Sequence, residues 1–306
     1  MKIGMVGLGR MGANMTQRII QHGHQVVAWD RSEESVKGVS SAGAQGVASL
    51  DDLVRALEPP RAVWLMLPSG DPTEATIRHL EDVLEAGDVI IDGGNSNFRF
   101  AIADAERLSG KGINFIDCGT SGGIWGLKEG YCLMVGGEAD AVKRVEPIFL
   151  ALAPEGGYAH VGPVGAGHFV KMVHNGIEYG LLQAYAEGFD LLHKADEFNL
   201  DLHQIAEVWR YGSVVRSWLL DLTALALANP EEFAKIRGFV EDSGEGRWTI
   251  DEAVARGVAA PVMAISLFER FQSREPDSFA AKMIAALRNQ FGGHKFFEES
   301  AGAEAR

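Results

Sequence analysis

The segment Gly7-Leu8-Gly9-Arg10-Met11-Gly12 constrains this chain more than any other. It follows an apolar run, Lys2–Val6, that reads as a β-strand, and it opens a stretch, Gly12–His22, with helical spacing. Three glycines at that spacing have separate uses. The first allows a tight turn, the second lets backbone approach a pyrophosphate, and the third lets the helix pack closely on the strand. The helix start then presents N–H groups and a partial positive charge to phosphate. The next apolar run, Gln25–Trp29, ends at Asp30, at the interval expected for an acid that takes the adenosine ribose hydroxyls. The cofactor-binding residues read from this pattern are Gly7, Leu8, Gly9, Arg10, Met11, Gly12, Asp30 and Arg31. Asp30 favours NAD, because a carboxylate repels a 2′-phosphate. Arg31 could stack on the adenine or turn toward a 2′-phosphate, which keeps NADP open as a second cofactor.

The alternation continues through Ala62–Leu67, Val89–Asp92, Ile113–Asp117, Cys132–Val135 and Tyr158–Val161, with helix-like stretches such as Thr73–Leu84 between them. It predicts a mostly parallel sheet with helices on both faces. Past Gly165 the period changes: apolar residues recur at three and four residue spacing in Val170–Leu192, Gln204–Trp209, Val214–Ala228 and Phe279–Leu287. The expectation is an α/β Rossmann-type N-terminal domain over residues 1–164. An all-α C-terminal domain over 165–306 follows, serving substrate binding and oligomerisation. The glycine-rich segment Gly162–Gly167 marks the boundary. The polar tail from Glu298 is expected to be disordered.

Bulk properties remove several function classes. At 306 residues, 46% apolar and 23% charged, the chain is long enough for two ordinary globular domains. A net charge of −14 argues against nucleic acid or an anionic membrane surface as partner. No apolar run approaches the ~20 residues of a membrane span, and the N-terminus does not resemble a signal peptide, so a cytoplasmic location is expected. Cys118 and Cys132 have neither CxxC spacing nor a His at a metal-ligand interval, and read as two buried thiols with no metal site.

The richest chemistry lies in Lys171-Met-Val-His-Asn-Gly-Ile-Glu-Tyr179. On a helix, Lys171, Asn175 and Glu178 stand at i, i+4 and i+7 and share one face, with His174 and Tyr179 flanking it. The bland alternative is a solvated polar face. Against it, Asn175 and Gly176 are poor choices for an exposed helix, and the segment directly follows the domain boundary. A second cluster, Ser121, Gly122 and Gly123, follows a strand end, where open α/β sheets bind ligands, and could hold a carboxylate. Asn95, in Asp92-Gly-Gly-Asn-Ser96, could reach nicotinamide or substrate. Arg270, Arg288 and His294 form a basic set suited to phosphate, although each alone would pass for a surface charge.

Taken together these segments resemble the 6-phosphogluconate dehydrogenases, over nearly the whole chain. The match rests on Gly7–Gly12, Asp92–Ser96, Ser121–Gly123, Lys171–Tyr179, Asp242-Ser243-Gly244 with Trp248, and Arg288–His294. Related β-hydroxyacid dehydrogenases share the fold and the lysine, but usually carry Asn-Asn where this chain has His174-Asn175. They also lack the glutamate-tyrosine pair. The resemblance implies oxidative decarboxylation of 6-phosphogluconate to ribulose 5-phosphate, a step of the pentose phosphate pathway. It makes Lys171 the general base and Glu178 the acid that protonates C1. It assigns the substrate's hydroxyls and carboxylate to His174, Asn175, Asn95 and Ser121–Gly123, and its phosphate to Tyr179, Arg270, Arg288 and His294. It further implies a homodimer or homotetramer.

The chain departs from the long members of that family. The duplicated helical domain is absent, yet Arg288–His294 is retained, which leaves open whether those residues serve their own subunit or a neighbour. Gly244-Glu-Gly-Arg-Trp248 replaces a Lys-Gly-Thr-Gly-Lys-Trp stretch, so one phosphate-contacting lysine is missing and Glu245 stands at the threonine. Two other readings compete. One is a β-hydroxyacid dehydrogenase that oxidises a short 3-hydroxy acid without decarboxylation, for which Glu178 would be superfluous. The other is a non-catalytic nucleotide-binding sensor, against which Lys171 and its helical partners stand.

Overall fold

A computed structural model describes residues 1–292 and Lys295. His294 and the tail from Glu298 lie outside the described residues. The apolar runs of the first half form β1 (Lys2–Val6), β2 (Gln25–Trp29), β3 (Gln45–Gly46), β4 (Ala62–Leu65), β5 (Val89–Asp92), β6 (Asn114–Ser121), β7 (Cys132–Gly137) and β8 (Tyr158–Gly162). They make one sheet in the order β3-β2-β1-β4-β5-β6-β7-β8. Each pairing is parallel except β6 with β7. The connections are α1 (Arg10–Gln21), α2 (Glu33–Ser41), α3 (Leu50–Arg55), α4 (Asp71–Val83), α5 (Phe98–Ser109), α6 (Gly126–Glu129) and α7 (Ala139–Leu152).

Both sheet faces are covered, which is why the strands read as unbroken apolar runs. Ile91, Trp64, Met5 and Phe149 belong to one core cluster, while Ile90, Val63, Val6 and Phe115 belong to the other. Adjacent residues such as Ile90 and Ile91 alternate between the two faces. α1 buries Gly12, Met15, Thr16 and Ile19, the stripe expected of a helix lying on a sheet.

Three local differences from the sequence expectation have physical causes. β6 runs past Asp117 to Ser121, because Gly119, Thr120 and Ser121 pair antiparallel with Met134, Leu133 and Cys132 of β7. The Ser121–Gly123 cluster therefore starts on a strand instead of in a turn beyond one. The two-residue β3 is too short to leave an apolar run. Of the two cysteines expected to be buried, Cys118 is buried but Cys132 is exposed, since it opens β7 ahead of the covered stretch Leu133–Gly137.

The helices of the second half are α8 (Ala166–His193), α9 (Leu202–Trp209), α10 (Trp218–Leu227), α11 (Pro230–Phe233), α12 (Glu245–Arg256), α13 (Pro261–Gln272) and α14 (Phe279–Gly292). The chain divides into two compact units, and the division falls after Gly176, inside α8. In the second unit Phe189, Ala206, Leu220 and Ala224 form a small core with Tyr185 and Trp209 packed on it. Asp201 and Ser217 cap α9 and α10 by accepting the N–H groups of Gln204 and Leu220. Much apolar surface stays outside this core: Val214 is 99% exposed, and Leu225, Phe279, Ile284 and Leu287 are exposed. Among the described residues no helix is long and apolar enough to cross a membrane.

Candidate active site

The glycine-rich turn has the form a dinucleotide requires. Gly7 has φ +90°, and a Cβ there would stand 2.4 Å from the Met66 carbonyl oxygen. A Cβ on Gly12 would stand 2.0 Å from the Gly7 oxygen, so only glycine lets α1 start this close to β1. Gly9, in contrast, has nothing among the described residues within 4 Å of its missing side chain, and that open side is where a pyrophosphate can approach. Among the described residues no side chain caps α1, which leaves its first N–H donors to an anion. These features fit NAD. Asp30 directly follows β2, but the turn already engages it: Oδ2 accepts the Leu8 N–H at 2.6 Å and Oδ1 accepts the Ser32 N–H at 2.8 Å. Arg10 and Arg31 are exposed, and Met11 is half-buried.

Three of the expected site residues, the base Lys171 and the substrate-binding His174 and Asn175, meet in the first unit. Lys171 is only 6% exposed, yet its Nζ donates to Asn175 Oδ1 at 2.8 Å and lies 3.5 Å from His174 Nδ1. His174 Nδ1 is 3.1 Å from the same Asn175 oxygen. The lysine stem rests on β6: a Cβ on Gly119 would come within 2.5 Å of Lys171 Cβ. The start of α8 is fixed to the sheet by carboxylates distant in sequence. Asp117 accepts the N–H groups of Gly165 and His168, each at 2.7 Å, and Asp92 Oδ2 lies 3.2 Å from His168 Nε2. Asn95 is exposed on the loop after β5, and Ser121 and Gly122 are half-buried at the end of β6 with Gly123 exposed.

The second unit holds Glu178, half-buried on α8, and then Tyr179. Tyr179 is 7% exposed, and its buried hydroxyl has no hydrogen-bond partner among the described residues. The Arg270 guanidinium lies 3.5 Å from the centroid of the Tyr179 ring. Arg270 also donates to the Glu241 carbonyl at 2.9 Å, which fixes its orientation. Beside it, Asp242 accepts from Arg247 Nε and Arg274 Nη2, both at 2.6 Å. Those bonds, Arg247 first, hold the Asp242 carboxyl at about 2 against the opposing effect of burial. Arg247 packs over the Phe271 ring at 4.4 Å. Glu245, at the position of the family threonine, is buried in the first turn of α12 and accepts from Ser243 Oγ at 2.6 Å. Arg288 is exposed on α14.

Sequence reasoning thus found Lys171 with His174 and Asn175, and Tyr179 with Arg270. It gave no role to Asp92, Asp117, His168, Asp242, Arg247 or Arg274. Asp92 and Asp242 stand in segments that carry the resemblance, and His168 precedes Lys171 by one helical turn.

Residues 2–162 match the family described as the NAD binding domain of 6-phosphogluconate dehydrogenase. Residues 167–279 match the C-terminal domain of the same enzyme. The chain belongs to the 6-phosphogluconate dehydrogenase family. Within that family it is 43% identical over 298 residues to an NAD(+)-dependent, decarboxylating 6-phosphogluconate dehydrogenase of Haloferax volcanii, covering 96% of this chain and 98% of that one. An NADP(+)-dependent, decarboxylating 6-phosphogluconate dehydrogenase of Bacillus subtilis is 36% identical over 287 residues, covering 89% of this chain and 61% of its own. Among solved structures, the 6-phosphogluconate dehydrogenase of Plasmodium falciparum superposes with a TM-score of 0.82 at 27% identity, over 99% of this chain and 67% of that one.

Proposed function

We propose that this protein oxidises and decarboxylates 6-phosphogluconate to ribulose 5-phosphate and CO₂, with NAD as the preferred hydride acceptor and NADP as a second one. The observation that carries this reading is the buried Lys171 amine held by Asn175 beside His174. The Gly7–Gly12 turn and Asp30 would hold the cofactor, with Arg31 toward the adenosine and Asn95 toward the nicotinamide, and the group would supply the acceptor for the hydride that leaves C3.

Lys171 takes the proton of the 3-hydroxyl as that hydride leaves, and a lysine can do so only in its neutral form. Asn175 orients the amine for this by accepting one of its hydrogens. The 3-keto acid then loses CO₂, and the electrons of the breaking bond move onto the ketone oxygen. Lys171, now protonated, donates to that oxygen as charge develops. Glu178 delivers a proton to C1 of the enediol and completes the product. Burial of the lysine serves both steps, since charge interactions strengthen away from water.

Asn95, Ser121, Gly122, Gly123, His174 and Asn175 hold the substrate's hydroxyls and carboxylate in this reading. Tyr179 and Arg270 take its phosphate, with Arg288 and His294 completing the set from their own or a neighbouring subunit. The Tyr179 hydroxyl, unpartnered among the described residues, and the adjacent guanidinium support that assignment. The apolar surface left on the second unit supports a homodimer or homotetramer. The setting is cytoplasmic.

The test is to supply 6-phosphogluconate with NAD or NADP in turn and to follow reduced nicotinamide and released CO₂ together. Equal yields, faster with NAD, are expected. Reduced cofactor without CO₂ would point to a β-hydroxyacid dehydrogenase, and absence of turnover with both cofactors would remove the substrate assignment.

A further inference from the structure

Asp92, the last residue of β5, and Asp117, inside β6, are register partners. Both side chains are buried and both are turned on His168. Asp117 accepts the backbone N–H groups of Gly165 and His168 and so caps α8 from another strand. Asp92 meets the His168 ring through Oδ2 and holds the Gly94 N–H through Oδ1 at 3.0 Å. One carboxylate therefore links the Gly93–Asn95 loop to the helix that carries Lys171. The Asp92 carboxylate accepts, so His168 Nε2 carries a proton, while His168 Nδ1 is buried with no partner among the described residues.

Lys171 follows His168 by one turn, and no slack separates that turn from the sheet. A Cβ on Gly167 would stand 2.4 Å from the Asp117 carbonyl oxygen, as a Cβ on Gly119 would from the lysine stem at 2.5 Å. A shift of the His168 ring must then be passed along the helix to the amine. We infer that His168 is a positioning residue for catalysis, a buried imidazole clamped by Asp92 that sets where Lys171 presents its amine.

Burial alone would lower the His168 pKa, but the Asp92 charge and hydrogen bond, with Asp117 behind them, outweigh it and raise the value above 6.5. Burial likewise opposes ionisation of Asp92, yet its pKa is lowered, with the His168 charge the leading cause and its hydrogen bond next. The two directions agree on an ion pair. The inference rests on the reading of Lys171 as the base.

The experiment compares His168→Leu, His168→Gln and Asp92→Asn with the unaltered protein. Glutamine keeps a donor that can reach Asp92, and leucine does not. His168→Leu is expected to lower kcat about 100-fold, because small misplacements of a reacting group cost that much. KM for 6-phosphogluconate and Kd for NAD should stay within about threefold. His168→Gln should recover about tenfold of the lost rate, and Asp92→Asn should fall between the two. A folded, NAD-binding His168→Leu with unchanged kcat would overturn the inference, as would equal losses in the leucine and glutamine variants. Should the leucine variant not fold, nitrogen-15 NMR of the unaltered protein decides: a protonated, slowly exchanging His168 Nε2–H at pH 8 is expected, and its absence counts against the clamp. That signal needs no turnover, so failure of the substrate assignment would be seen separately, as an unaltered protein inactive toward 6-phosphogluconate.

Discussion

Gly119 lies so close beneath Lys171 that a Cβ on the glycine would stand 2.5 Å from the Cβ of the lysine. Gly119 sits inside β6, paired with Met134, so it cannot move aside without breaking the ladder. Gly119→Ala should therefore lift α8 at the lysine. The expected result is a fall in kcat of about 10- to 100-fold, with NAD affinity unchanged. Single-turnover kinetics and a fluorescence titration of NAD check the two halves.

Lys171 and Glu178 have separable jobs in the proposed reaction. Lys171→Met should slow hydride transfer by a factor at the upper end of the ~10²–10⁴-fold range of general base catalysis. Glu178→Gln should still reduce NAD in the first turnover and release CO₂, but should slow ribulose 5-phosphate formation by a similar factor. Rapid-quench analysis of all three products separates the cases.

Asp242 gives the second unit an acid-sensitive point. Its carboxyl is held at about 2, well below the unfolded 3.8, chiefly by the hydrogen bond from Arg247. A carboxyl lowered by folding stabilises the protein above the unfolded value, and the contribution is lost as pH falls from about 4 toward 2. The magnitude is on the order of 2 kcal/mol. Asp242→Asn should thus destabilise at pH 7 in urea melts and do so by only about a third as much at pH 2.5.

Asp30 is expected to matter for more than cofactor choice. Its Oδ2 accepts the Leu8 N–H within the glycine turn. Asp30→Ala should weaken NAD and NADP binding together and lower stability without cofactor by about 1–3 kcal/mol, since a buried N–H loses its acceptor. Calorimetric titrations with each cofactor and melts of the cofactor-free protein are the check. A changed NAD/NADP ratio at unchanged stability would contradict the clamp.

The elements that could be read in advance were those with a local pattern. β1, β2 and β5 match their apolar runs, and α8 keeps its period for 28 residues. The Lys171–Asn175 contact was legible for the same reason, being one helical turn apart. β3 could not be seen, because two residues have no period. The antiparallel run of Gly119–Ser121 could not be seen either, because its pairing with β7 depends on a partner and not on its own sequence. His168 was missed for a stronger reason: its partners Asp92 and Asp117 lie 76 and 51 residues away. Asp242 likewise looks like any loop acid until Arg247 and Arg274 close on it.

α8 is one unbroken helix from Ala166 to His193, and it carries both the proposed base and the proposed acid. It therefore acts as a ruler as well as a support. Each residue added or removed between Lys171 and Asn175 would turn the amine past its acceptor by about 100° and shift it by about 1.5 Å. Side chains in that interval can change while the count of residues cannot, so a single inserted alanine there should do more harm than most substitutions.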